Sequence, residues 1–394
     1  MKVCVLSCFD DLLLKDTGYS VRIYNLARGL AERKHEVHVI IPSVDKDWST
    51  IAEGVFVHGL HGLFPKGFLK ILGRFFGISK YTSLFFYDFL FLLKSTQIVR
   101  RCDLLQVEQP SVAVFFALLA KLLGKPLVAD CHDVFQALRV KHTGFLRRVL
   151  ETSIERTVYN LADVVFVVSE KEHSLLSGIV GPECLEVVPN GVDCDFFSPL
   201  SVPDSGLRKR YGLADCAVVV FVGNLEYLPN QEAVNLIGHR IAPRVLNKFG
   251  NVKFLVAGRI PEGLHLPFSK GLIFAGRVSS VPEVLGISDV AIAPLIQGSG
   301  TRLKVLEYLS SGLPVVSTSI GVEGLHLLDG VHVLVEDNIH KFPDRIVELL
   351  DDQRTARKLR ENARRIVLGK YDWRVIVKKV EDIHVRVARL AVNL

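Results

Sequence analysis

Short apolar runs rich in Val, Ile and Leu alternate along this chain with longer stretches whose apolar residues recur at helical spacing. The first half carries strand candidates at 2–7, 36–41, 104–107, 126–130, 164–168 and 185–188; the second half carries them at 218–222, 252–257, 272–275, 290–293, 314–318 and 332–335. Many of these runs are apolar without interruption, as strands covered by helices on both faces are. Strands alternating with helices imply parallel sheets in α/β layers. Two such sets predict an α/β chain of two Rossmann-like, doubly wound parallel-sheet domains, and 394 residues is a natural length for two cores.

The break between the sets falls in Pro189 to Gly206, where Pro189, Pro199, Pro203, Gly191 and Gly206 give the composition of a linker. The expected division is an N-terminal domain at 1–190, a linker at 191–205 and a C-terminal domain at 206–370. Around Tyr371-Asp372-Trp373 the chain is expected to cross back, so that a final helix at 372–394 packs on the first domain.

Composition narrows the class. The chain is 49% hydrophobic and 23% charged, as a well-packed globular protein is, and its formal net charge of +6 favours anionic partners without implying nucleic acid. Seven cysteines, an odd count without a CxxC pair, read as reduced, buried thiols in a cytosolic setting rather than a disulfide framework or a zinc site. The N-terminus enters a strand directly instead of a signal-peptide pattern. No run approaches the ~20 apolar residues that span a bilayer.

Chemistry concentrates in Gln297 to Gly321, QGSGTRLKVLEYLSSGLPVVSTSIG. A strand, Val290 to Ala293, leads into the small-residue loop Gly298-Ser299-Gly300-Thr301, and a helix opens with Arg302, Lys304 and Glu307. Free backbone N–H groups and the positive end of a helix dipole make such a turn a phosphate site. Two cations suit a diphosphate, and a carboxylate one turn on suits a hydroxyl-bearing neighbour such as ribose. The plain alternative is an ordinary glycine-containing turn with solvated charges, but cations at a helix N-terminus are unfavourable unless an anion sits there. Gly223, Gly258, Gly276 and Gly298 each stand at or just past the carboxyl end of a strand, followed by Asn224, Arg259, Arg277 and Ser299. Ligands of open α/β sheets bind outside those ends, so one anion-binding edge is expected there, with Arg259 or Arg277 beside the base or the phosphates.

These residues, in this order, resemble the GT-B glycosyltransferases, in particular the large retaining family called glycosyltransferase group 1 or family 4. The resemblance rests on Gly18 after the first strand, Leu30 to Val37 before the second, Asp130-Cys131-His132-Asp133, Ala162 to Ser169, Val188 to Asp193, Phe221 to Leu225, the Gln297–Gly321 segment and Tyr371-Asp372-Trp373. It covers nearly the whole chain. It implies two Rossmann-like domains facing across a cleft, a nucleotide-sugar donor in the C-terminal domain, an acceptor in the N-terminal one, transfer with retention of anomeric configuration, and no metal or other cofactor. The family members are discussed as front-face reactions in which the leaving phosphate helps deprotonate the acceptor.

Carried over residue by residue, the resemblance assigns Glu307 to the donor ribose hydroxyls, His132 to the donor sugar near the anomeric centre with Asp133 orienting it or binding the acceptor, and Gly18 to a glycine loop that closes on the diphosphate. Two departures stand out. Ser299 occupies the position of the family's first glutamate, and Asn224 stands where arginine is common, with no lysine following in Glu226-Tyr227-Leu228-Pro229-Asn230. A leaving diphosphate needs charge stabilisation, which moves that task to Arg302 and Lys304. Asp193-Cys194-Asp195 looks like a metal-binding DxD motif but sits in the proline-rich hinge and is discounted.

One segment belongs to the acceptor domain alone. Gly62 to Arg101 is basic and rich in phenylalanine; Lys66, Lys70 and Arg74 share one helix face, while Phe75 and Phe76 belong to another. A helix of this kind can lie in a lipid headgroup layer; alternatively it packs on the sheet with a solvated outer face. The expectation is a cytoplasmic, peripheral membrane enzyme acting on a lipid-linked or membrane-proximal glycan. A GT-B nucleotide-sugar epimerase and a catalytically silent sugar-nucleotide-binding or scaffolding protein stay open as alternatives.

Overall fold

The computed structural model describes residues 1–7, 18–42, 52–60, 89–108, 113–132, 145–199, 206–298 and 300–392. They form two compact units, Met1–Asn190 together with Trp373–Leu394, and Gly191–Asp372.

The first unit is built on a seven-stranded sheet of order β3-β2-β1-β4-β5-β6-β7. Its strands are β1 (Lys2–Leu6), β2 (Glu36–Pro42), β3 (Val55–Leu60), β4 (Leu104–Glu108), β5 (Leu127–Cys131), β6 (Val164–Val167) and β7 (Leu185–Val187), all paired in parallel. The order reverses between β1 and β4, the mark of a doubly wound sheet. Six of the seven strands coincide with apolar runs. The exception is β3, where His58 and Gly59 interrupt the apolar pattern and only one neighbour, β2, has to be satisfied.

The helix Gly18–Glu32 follows β1 and buries Ile23, Leu26, Ala27 and Leu30 at helical spacing. The final helix, Trp373–Val392, returns to this unit and buries Ile376, Val377, Val380, Ile383 and Val387. The two helices touch at Gly29, where a Cβ would come within 2.4 Å of a Val377 methyl. Glycine is what permits that approach.

The second unit carries a six-stranded sheet of order β10-β9-β8-β11-β12-β13. Its strands are β8 (Ala217–Val222), β9 (Val252–Ala257), β10 (Leu272–Gly276), β11 (Val290–Ala293), β12 (Val315–Ser317) and β13 (Leu334–Val335), again all parallel, with the reversal between β8 and β11. Every strand predicted for this half is present.

The expected linker at 191–205 takes a different place in its first part. Val192 and Cys194 are buried in the second unit's core, Val192 N donates to Tyr371 O at 2.8 Å, and Arg364 donates to Cys194 O and Phe197 O at 3.0 Å each. Proline and glycine marked a segment without a regular element, and its carbonyls are satisfied by an arginine side chain instead.

Among the described residues no disulfide is formed, and no helix is long and apolar enough to cross a membrane.

Candidate functional site

The carboxyl edge of the second sheet is assembled from backbone contacts that only glycine allows. Gly258, just after β9, has φ +142°, and a Cβ there would lie 2.0 Å from Gly223 O. The loops after β8 and β9 therefore touch backbone to backbone. A Cβ on Gly223 would come 2.7 Å from Lys304 Nζ, and one on Gly298 (φ +125°) 2.7 Å from a terminal nitrogen of Arg302 and 3.1 Å from the Tyr227 hydroxyl. The strand-end glycines open the space that the cations of the following helix enter.

That helix spans Leu303–Ser310, and Arg302 is its N-cap residue with extended backbone, φ −89° and ψ 94°. Arg302 thus stands before the first turn rather than inside it, and its side chain is buried. Lys304 Nζ donates to Asn230 Oδ1 at 2.7 Å and stands 4.2 Å from the centre of the Phe221 ring. Asn230 is held in turn, its Nδ2 donating to Asn224 O at 2.7 Å. The helix is anchored by Tyr308, whose buried hydroxyl accepts from Val222 N at 2.7 Å at the end of β8. Lys304, projecting from the helix after β11, thereby sits at the loop after β8, where the sequence left a gap in charge.

The electrostatics are unusual for an apparent structural pair. Burial pushes Lys304 down to about 7, only partly opposed by Glu307, and Arg302 pushes the same way as burial. Burial pushes Glu307 up to about 7, with Lys304 opposing. A cation stabilised by a neutral amide and a ring face, beside a carboxylate that titrates near neutrality, is receptive to an anion on one side and a hydroxyl on the other.

The other expected donor residues divide. Gly300 has φ +72° and continues the loop, and Thr301 leads directly into Arg302. Asn224 shapes its own turn, with Oδ1 accepting from Glu226 N at 3.0 Å. Arg259 forms a surface ion pair with Glu226 at 3.2 Å, and Arg277 is exposed just past β10. Ser299 lies outside the described residues. Asn230, Phe221 and Tyr227 were not singled out from the sequence; nothing local marks Asn230 as the partner of a lysine 74 positions away.

In the first unit, His132 follows β5 and is buried. Its Nε2 meets the Glu108 carboxylate at the end of β4 in a very short contact. Gln106 Nε2 donates to the other Glu108 oxygen at 2.7 Å, and His384, on the returning C-terminal helix, bonds Gln106 Oε1 through Nε2 at 2.9 Å. Asp130 is gripped by Arg22 through Nε at 2.9 Å and Nη2 at 3.1 Å, while Arg22 Nη1 donates to Pro189 O at 3.0 Å. Tyr19, next to Gly18, brings its ring to 4.8 Å from that of His132. Burial works against charging the His132 ring, but the Asp130 and Glu108 carboxylates outweigh it and hold its pKa above the ordinary value. Ligand atoms of Glu108, Asp130 and His132 come within 4.8 Å of one another, yet a bidentate guanidinium on Asp130 and an amide donor on Glu108 occupy the carboxylates with protein partners. The cluster is an ion-pair network.

Asp133 and the basic, aromatic residues Lys66, Lys70, Arg74, Phe75 and Phe76 lie outside the described residues. The described end of that segment, Phe89–Arg101, is a helix whose Phe91, Ser95 and Val99 are buried. Phe91 packs edge-on against Phe116 at 6.1 Å, so this part serves the core.

Two family models divide the chain between them: Glycosyltransferase Family 4 matches residues 17–196, and Glycosyl transferases group 1 matches residues 216–352. The chain belongs to the group 1 glycosyltransferases. This group 1 glycosyltransferase is 28% identical over 244 residues to a GDP-mannose-dependent alpha-(1-6)-phosphatidylinositol monomannoside mannosyltransferase of Mycolicibacterium smegmatis, a match spanning 57% of this chain and 63% of that relative. It is 23% identical over 385 residues, 92% of each chain, to an N-acetyl-alpha-D-glucosaminyl L-malate synthase of Bacillus anthracis. Its fold matches that of Anabaena HepE, solved in complex with UDP-glucose, with a TM-score of 0.70 at 16% identity over 97% of this chain and 99% of that one.

Proposed function

We propose that this glycosyltransferase moves a sugar from a nucleotide diphosphate sugar to an acceptor hydroxyl with retention of configuration and without a metal, and that the acceptor is a lipid-linked or membrane-proximal glycan. The observation that carries the donor half is Lys304, held by Asn230 over Phe221 at the carboxyl edge of the second sheet, with Glu307 one turn along the same helix. In this reading Lys304 and Arg302 bind the diphosphate and stabilise the charge that grows on it as the glycosidic bond breaks. Arginine supplies a planar fork and lysine a point charge. Glu307 accepts hydrogen bonds from the ribose hydroxyls. The first unit binds the acceptor and supplies His132 to the transferred sugar. The lipid-linked acceptor is supported by the phosphatidylinositol mannoside named for the Mycolicibacterium relative and by the basic, phenylalanine-rich sequence at 62–101, which would rest on the cytoplasmic face of the membrane.

Thermal stabilisation by a panel of nucleotide sugars tests the donor half, since a ligand that binds the folded state raises its stability by mass action. A shift with at least one sugar nucleotide, lost in Lys304→Ala, is expected. No shift with any of them removes the donor site. Flotation with anionic vesicles tests the membrane half, and failure to bind sinks it.

A further inference from the structure

The polar chain behind His132 has a fixed direction. Gln106 has one donor end and one acceptor end, and it spans His384 and Glu108. Its nitrogen faces Glu108 Oε1, so its oxygen faces His384, whose Nε2 must carry the hydrogen. His384 Nδ1 is buried with no hydrogen-bond partner among the described residues, and burial pushes this ring down to about 3, so it is neutral. Glu108 then receives a donor at Oε1 from Gln106 and meets His132 Nε2 at Oε2. A carboxylate accepts at both oxygens. The arrangement is satisfied when Glu108 is ionised and His132 carries its proton on Nε2, leaving Nδ1 for a ligand. The groups facing His132 from the packed elements agree: both oxygens of Asp130 on β5 are bonded by Arg22 from the helix Gly18–Glu32, so Asp130 acts on the ring through its charge and Glu108 is the carboxylate left to hydrogen-bond the imidazole.

We propose that Glu108 is a positioning residue for His132. Its carboxylate fixes the imidazole as the Nε2–H form and turns Nδ1 over to the substrate; Gln106 on β4 holds Glu108 in that role and is itself held by His384 from the C-terminal helix. The second part gives that helix a function beyond packing: its return to the first unit completes the support of a residue in the site. The proposal rests on the assignment of His132 to the transferred sugar, but its geometry does not.

The test uses the full-length protein with 15N-labelled histidine, the His132 resonances being identified by their loss in His132→Gln. At a pH where the ring is neutral, the wild type is expected to show His132 with Nε2 protonated and Nδ1 bare. Glu108→Gln offers one acceptor where two donors need one each, so it is expected to mix the tautomers and to lower kcat at least about 10-fold, as loss of an orienting carboxylate does, with the donor Kd within about 2-fold. Glu108→Asp restores part of both. His384→Phe, at the far end, should move the same signature less, and it serves if Glu108→Gln does not fold. An unchanged His132 signature and unchanged kcat in Glu108→Gln overturn the proposal. A changed signature in a protein that transfers no sugar from any nucleotide donor upholds the positioning and overturns the functional reading instead.

Discussion

Two buried groups of charges, one in each unit, solve the same problem in opposite ways. Around Asp130 and His132 each charge meets a charged partner: Arg22 grips Asp130 with two nitrogens, and Glu108 faces His132. Around Lys304 the charge is met by a neutral amide and an aromatic face, and both Lys304 and Glu307 are drawn to about 7. In the first arrangement the protein supplies the partners of Asp130 and of His132 Nε2 and holds those side chains in place. The second keeps charges desolvated next to each other without closing them into an ion pair, the arrangement that the proposed diphosphate would complete. The signs of the pKa shifts fit this. A raised Glu307 loses stability for the fold as pH rises from its ordinary range to about 7, and a lowered Lys304 returns stability as pH rises from about 7 toward 10.5. The pair therefore burdens the folded protein most near neutrality, where a donor would relieve it.

The comparison breaks most easily in the first unit. Arg22→Ala leaves Asp130 buried and uncompensated, and the expected loss of stability in urea denaturation is about 3–5 kcal/mol. A loss below about 1 kcal/mol would mean that the network is not what holds this edge together. Lys304→Ala is the counterpart. Unfolding stability should stay within about 1 kcal/mol of wild type or rise, because a buried, desolvated charge is removed, while turnover of the nucleotide sugar falls by about 100-fold. Arg302→Ala should likewise lower turnover far more than stability. Equal damage to stability in Lys304→Ala and Arg22→Ala would erase the distinction between the two regions. Glu307→Gln is the mildest of the set: about a 10-fold weaker donor affinity by calorimetry, the scale of a hydrogen bond to a charged acceptor, with a smaller effect on a donor analogue lacking the ribose hydroxyls.

Much of the fold was legible because parallel strands covered on both faces announce themselves as unbroken apolar runs, as at 218–222 and 290–293. β3 was not, since an edge strand carrying His58 and Gly59 lacks that signature. The segment after Asn190 read as a linker because proline and glycine report the absence of a helix or strand, not the absence of contacts; the partner that binds it, Arg364, lies 170 residues from Cys194. In the site, Lys304 and Glu307 were visible from spacing on one helix, and His132 from its place after a strand. Arg259 was a weaker inference: its glycine neighbour does mark a strand end, but the side chain pairs with Glu226 at the surface. Asn230, Glu108 and Gln106 escaped notice because their roles lie in hydrogen bonds across strands and loops, which leave no local pattern. Glu108 sits in a strand, LLQVE, whose apolar run concealed two polar side chains, Glu108 meeting His132 and Gln106 meeting His384.

The central claim is that Lys304 takes the donor's diphosphate and Glu307 its ribose, and proton linkage tests it most directly. A diphosphate beside Lys304 raises its pKa, and ribose hydroxyls donating to Glu307 lower its own. From starting values of about 7 for both, binding of a nucleotide sugar at pH 8 should take up protons through Lys304, and binding at pH 6 should release them through Glu307. Calorimetry in buffers of differing ionisation enthalpy reads this count. The account predicts uptake at pH 8 that vanishes in Lys304→Ala and release at pH 6 that vanishes in Glu307→Gln. Binding with no net proton exchange at either pH, or with the same exchange in both variants as in wild type, would contradict it.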